Sequence, residues 1–273
     1  MKSTLFTIGP FTAHSYGLML GIAIVLAYIV AEKRAKKLGL KDELIFDLAI
    51  WCGVGGILGA KLLYLITQID RIIDDPKVII ESLTGGFVVY GGIILGIFAG
   101  WLFTKVKKLP FLKYFDLVMP EIALAQAVGR VGCFLAGCCY GVETHNVLHV
   151  VFHDSPIAPN GVSLVPTQIY SSLFDLLHFF VLISFAKKKK ADGQVAGLYL
   201  MLYSAGRFVI EFWRGDLERG SIGPLSTSQA IAIVLFVIGA VIVAIMPKLD
   251  KKVGEDAEDA KAEAADNEDK QGV

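Results

Sequence analysis

Apolar runs of about 20 residues recur along this chain, near residues 13–31, 44–69, 84–104, 117–138, 166–186, 193–213 and 226–246. At about 1.5 Å of rise per residue, a helix of that length crosses the hydrocarbon core of a bilayer. In lipid, a spanning segment must satisfy its own backbone polar groups, and a helix does so within itself. The runs therefore predict an all-α polytopic membrane protein with seven transmembrane helices. Composition agrees, because 55% of the 273 residues are apolar, too many for a soluble globule of this length.

Basic residues in the connections set an orientation. Lys33, Arg34, Lys36, Lys37 and Lys41 follow the first run, Lys105, Lys107, Lys108 and Lys113 the third, and Lys187 to Lys190 the fifth. The alternate connections are poor in positive charge, and Gly141–Val165 has no Lys or Arg at all. The positive-inside rule then places the N-terminus outside and the C-terminus in the cytoplasm. The formal net charge of zero hides a surplus of Asp and Glu after Lys248. Residues 1–247 read as the membrane domain, and 248–273 as an acidic, disordered or weakly helical cytoplasmic tail. The N-terminus carries one lysine and no small-residue cleavage site, so no removable signal peptide is expected.

The stretch Gly129-Arg130-Val131-Gly132-Cys133-Phe134-Leu135-Ala136-Gly137-Cys138-Cys139-Tyr140-Gly141 stands apart. It places an arginine, three thiols and four glycines in or beside an apolar segment, where a lone charge costs several kcal/mol unless an anion answers it. With the orientation above, Tyr16, Tyr90, Arg130, Arg207 and Glu211 all fall at outer-leaflet depth. Five polar side chains from four spans at one depth predict a cavity opening to the outer leaflet. Arg207 and Glu211, four residues apart, can also simply neutralise each other on one helix face, which leaves Arg130 without a partner.

Gly55 and Gly59 in the second run, and Gly92, Gly96 and Gly100 in the third, have the spacing that lets helices approach closely in lipid. Gly85-Gly86-Phe87-Val88-Val89-Tyr90-Gly91-Gly92 suggests a broken helix start or backbone close to a ligand. The connection between runs four and five predicts a small outer-face subdomain over 139–165, with a short strand from Val147 to Phe152. His145, His149 and His153 recur every four residues there, but the extended pattern of Val150, Val151 and Phe152 argues against one helix face, and no metal site is expected. The four cysteines do not form the framework of a small secreted domain. A bridge from Cys133 to Cys138 or Cys139 is conceivable on an oxidising face, whereas buried thiols more often serve as small apolar fillers.

Taken in order, Tyr16-Gly17-Leu18-Met19, the glycine-flanked Tyr90, Gly129-Arg130-Val131-Gly132 with Phe134 and Gly141, Pro166-Thr167-Gln168-Ile169-Tyr170, and Arg207-Phe208-Val209-Ile210-Glu211-Phe212-Trp213-Arg214 resemble the prolipoprotein diacylglyceryl transferase family. The resemblance runs from about Ile8 to Met246 and fits that family's seven spans. It implies a multi-pass transferase of the bacterial plasma (inner) membrane. Such an enzyme moves the diacylglyceryl group of phosphatidylglycerol onto the lipobox cysteine thiol of a preprolipoprotein signal peptide, releasing glycerol phosphate. It needs no cofactor and no nucleic acid.

Carried onto these positions, the resemblance implies Arg130, Arg207 and Tyr90 as catalytic residues. Tyr16, Tyr203, Glu211, Cys133, Gly141 and Gln168 are implied as substrate-binding. Arginine suits a phosphodiester because its planar fork donates two parallel hydrogen bonds. The chain departs from the family pattern where asparagine is expected at Cys133 and Ala136, an acid at Cys138, and histidine at Tyr90 and Val165. Its Cys-Cys-Tyr-Gly ending resembles a divergent branch. A paralogue with another acceptor, and a non-catalytic lipid-binding protein, remain open on this reading.

Overall fold

The computed structural model describes residues 4–8, 11–75, 77, 79, 85–216 and 220–271. It has seven helices long and apolar enough to cross a membrane, as the apolar runs predict. A hairpin of β1 (Thr4–Ile8) and β2 (Phe11–His14) precedes α1 (Ser15–Lys37), followed by α2 (Ile45–Thr67), the short α3 (Ile69–Asp74), α4 (Val89–Val106) and α5 (Phe111–Ala136). Next come β3 (Val150–Val151), β4 (Ser163–Leu164), α6 (Thr167–Ala186), α7 (Gln194–Ile210), the hairpin β5 (Ser221–Ile222) and β6 (Leu225–Ser226), and α8 (Thr227–Gln271).

Two helix starts differ from expectation. α5 begins at Phe111 rather than near 117, directly after Pro110, whose missing N–H costs nothing before a first helical turn. Lys113 and Asp116 kept this first turn out of the apolar run. α4 begins at Val89, and residue 84, where its run was expected to start, lies outside the described residues.

The chain divides into two compact units, Tyr28–Tyr114 and Met1–Ala27 with Phe115–Val273. In the first, α2 and α4 meet backbone to backbone. A Cβ on Gly59 would lie 2.2 Å from the Gly91 carbonyl oxygen, and one on Gly55 2.6 Å from the Ala99 Cβ. The glycine spacing read from the sequence is therefore a packing seam. The expected broken helix start is also present. Gly86 has φ +70 and lies against the Tyr64 ring, while Lys61 Nζ donates to the carbonyls of Gly85 (2.8 Å) and Gly86 (3.1 Å).

In the second unit, Met119 and Ala123 of α5, Leu182 of α6 and Val195, Ala196 and Tyr199 of α7 form one buried cluster. Asp116 on α5 fixes the start of α7. Its carboxylate accepts from the backbone N–H groups of Gly193 (2.8 Å) and Ala196 (3.0 Å) and from Lys189 Nζ (2.9 Å), so a negative charge satisfies the first turn of a helix. Gly197 and Gly239 bring α7 and α8 together, since a Cβ on Gly239 would lie 2.6 Å from the Gly197 carbonyl oxygen.

The connection between α5 and α6 has its own small core of Phe152, Ala158 and Leu164, with Phe134 and Tyr140 against it. The strand is shorter than Val147–Phe152. Val150 and Val151 pair with Leu164 and Ser163, while Phe152 makes a single bridge with Asn160 and turns its side chain inward to 0% exposure.

Candidate active site

Three helices of the second unit enclose a cavity of about 410 Å³. Arg130 enters it from α5, Tyr170, Ser171, Phe174 and Asp175 from α6, Tyr203 and Arg207 from α7, and Trp213 from the 3₁₀ turn Glu211–Trp213. The α6 residues recur at helical spacing and so share one face. Ser172 donates to the Ala127 carbonyl at 2.8 Å, tying α6 to α5 one turn before Arg130.

The two arginines differ. Arg207 pairs with Glu211 and donates to Ser228 Oγ at 2.9 Å, while Ser226 Oγ donates to the other Glu211 oxygen at 3.0 Å. Neutralisation and cavity lining are both true of Arg207, whose guanidinium is held in one orientation. Arg130 has no hydrogen bond or ion pair among the described residues, and interacts electrostatically with Asp175. Asp175 is 5% exposed and faces the cavity, likewise without a hydrogen bond among the described residues.

Beyond Asp175 lies a second polar layer. His178, 2% exposed with no hydrogen-bond partner for either ring nitrogen among the described residues, stacks on Tyr199 at 5.0 Å between ring centres. Tyr199 donates to Gln126 Oε1 at 3.0 Å and stacks on cavity-lining Tyr203 at 5.9 Å. Asp175 and His178 escaped the sequence reading. Their signal was an acid and a histidine three apart in an apolar span, both expensive in lipid unless they face the bundle.

The turn after α5 collects the thiols. The Thr167 hydroxyl donates to the Cys139 carbonyl (2.7 Å) and Gln168 Nε2 to the Cys138 carbonyl (2.8 Å). The Sγ atoms of Cys133, Cys138 and Cys139 all lie within 4.8 Å of one another. Hydrogen bonds from the Cys133 and Cys138 thiols, and then the Arg214 guanidinium, hold Cys139 below the ordinary thiol range. Arg214 itself is paired with Asp216, Nε to Oδ1 at 2.7 Å.

Of the residues singled out from the sequence, the structure gathers Arg130, Arg207 and Tyr203 around the cavity, with Glu211 behind Arg207. Tyr16 packs on α5, its Cδ2 3.3 Å from where a Gly132 Cβ would be, in electrostatic contact with Arg130 and the thiols. Gln168 is 1% exposed and clamps the thiol turn rather than lining the cavity. Gly141 sits where backbones cross, and a Cβ there would lie 2.5 Å from the Val165 carbonyl oxygen. Cys133 belongs to the thiol cluster. Tyr90 lies in the other unit, in the first turn of α4, 52% exposed.

Two arginines and a carboxyl share one cavity between apolar spans, in a multi-pass membrane protein of seven spanning helices. Residues 3–245 match the family described as prolipoprotein diacylglyceryl transferase, and the chain belongs to that family. It is 47% identical over 239 residues to a phosphatidylglycerol–prolipoprotein diacylglyceryl transferase of Clostridium tetani, covering 88% of this chain and 95% of the relative. A second enzyme of that name, from Clostridium perfringens, is 41% identical over 88% of this chain and 93% of its own length. One from Staphylococcus aureus is 31% identical over 91% and 92%.

Proposed function

We propose that this chain transfers the diacylglyceryl group of phosphatidylglycerol to the lipobox cysteine thiol of a preprolipoprotein signal peptide, at the outer face of the bacterial plasma membrane. The observation that carries the reading is the single cavity holding Arg130, Arg207 and Asp175. Its volume lies within the about 300–1,000 Å³ typical of small-molecule sites. That accommodates the glycerophosphate head, while the acyl chains remain in the bilayer, where apolar surface avoids water.

Arg130, with no hydrogen-bonding partner among the described residues, takes the phosphodiester through its planar fork. Arg207, held by Glu211 and Ser228, stabilises the negative charge that grows on the leaving phosphate, without reorienting during the reaction. Tyr203 donates a hydrogen bond to the same head.

The acceptor thiol gives its proton to the Asp175 carboxylate, and the sulfur attacks the glyceryl carbon bearing the phosphate oxygen. As the carbon–sulfur bond forms, the carbon–oxygen bond breaks and its electron pair leaves with glycerol phosphate. That dianion then removes the proton from Asp175. An acid at this position supplies proton transfer to a chain that has tyrosine at position 90.

The test uses purified protein in detergent with phosphatidylglycerol and a lipobox peptide. The expected outcome is a peptide heavier by one diacylglyceryl group and an equal amount of glycerol phosphate, both lost in Arg130→Ala. Failure to form product beside an active family member would overturn the reading.

A further inference from the structure

Adjacent residues in a helix or strand do not direct their side chains to one point, yet Cys138 and Cys139 share a space with Cys133. The backbone achieves this by two left-handed residues, Gly137 at φ +72 and Cys139 at φ +59, the second uncommon for a residue with a side chain. Buried Thr167 and Gln168 lock the turn through the carbonyls of Cys139 and Cys138. The thiols thus converge through a held backbone rather than through mobile side chains.

Metal–sulfur bonds of about 2.3 Å in a trigonal or tetrahedral site require sulfur–sulfur distances of about 3.8–4.0 Å. The three Sγ atoms, all within 4.8 Å of one another, span that separation with only small adjustments. Three thiolates on a dication leave one negative charge, and the Arg214 guanidinium, held by Asp216, lies close enough to Cys139 to act on it electrostatically. All three cysteines are only partly buried. Thiolate sulfur selects soft ions over Mg²⁺ and Ca²⁺, which prefer oxygen.

We infer that Cys133, Cys138 and Cys139 form a three-thiolate site for one soft d¹⁰ dication of the Zn²⁺ class, with the fourth position open to water. Binding releases the three thiol protons to solvent and staples the turn that joins α5 to the 141–165 connection.

The experiment titrates Zn²⁺ and Cd²⁺ into the full-length protein in detergent, reduced with a phosphine. One ion per chain is expected to survive desalting, with a sulfur-to-cadmium charge-transfer band and a higher melting temperature. Cys138→Ser and Cys139→Ser should each weaken binding by more than the about 10–100-fold that loss of an outer-shell partner costs, and Cys52→Ser should not. The cadmium band also counts metal–sulfur bonds without any substitution, so the inference survives a variant that fails to fold. Fewer than three such bonds, no retained ion, or full binding by the Cys138→Ser, Cys139→Ser double variant would overturn it. So would a chain isolated with a disulfide that takes up no ion after reduction.

Discussion

The α2–α4 seam and the α5–α6–α7 bundle are both made of apolar helices, yet they are built in opposite ways. In the seam, glycines remove all space, so that backbones touch at Gly59 and Gly91. In the bundle, aromatic and polar side chains hold the helices apart around Arg130, Asp175 and Arg207. Without a hydrophobic force to drive helices together in lipid, close packing supplies cohesion, whereas buried charge is tolerated only where a ligand or partner uses it. Helices that only support each other can discard side chains, and helices that bind must keep them.

The comparison makes separable predictions. Arg130→Ala should lower transfer about 10²–10³-fold, as loss of one transition-state donor does elsewhere, and leave the melting temperature nearly unchanged. A large loss of stability instead would make Arg130 part of the scaffold. Asp175→Asn should reduce turnover about 10²-fold and abolish the fall in rate at acid pH, because an amide has no proton to lose. The sign follows from the role: a base must be ionised to accept a proton, so the parent slows as pH falls and the variant has no such limb. Recovery of that limb in Asp175→Glu would confirm the role, and an unchanged profile in Asp175→Asn would remove it.

Gly59→Val should do the reverse of Arg130→Ala. A side chain forced against the Gly91 carbonyl costs about 1–3 kcal/mol of stability, read as a lower melting temperature, while the protein that remains folded keeps its turnover. Tyr90→Phe is expected to have the smallest effect. The Tyr90 hydroxyl makes no hydrogen bond among the described residues, and one hydrogen bond to a substrate is worth only about 1 kcal/mol, so activity should stay within about tenfold. Complete loss would instead place the tyrosine hydroxyl in the chemistry.

Periodicity and charge make the seven spans, the glycine seam and the arginines of the cavity legible in the sequence, because each signal lies within one segment. The missing parts are long-range. Asp116 meets the start of α7 across 77 residues of sequence, and Gln168 reaches Cys138 across 30. The family resemblance implies Gln168 as a substrate contact, and the carbonyl that it also holds shows only in the folded chain. Asp175 went unnoticed as a lone acid in an apolar span, and only the assembled bundle puts it in one cavity with Arg130.

Asp116 also bears on the order in which the protein is made. The carboxylate that receives the N–H groups of Gly193 and Ala196 lies on α5, so it leaves the ribosome well before them. α7 thus enters the membrane with its anchoring point already present, and an α5 without this carboxylate would leave the newly inserted hairpin of α6 and α7 with no dock. The defect of an Asp116→Ala chain would then show first in biosynthesis, as poor insertion and rapid turnover by membrane proteases, ahead of any loss measured in the finished enzyme.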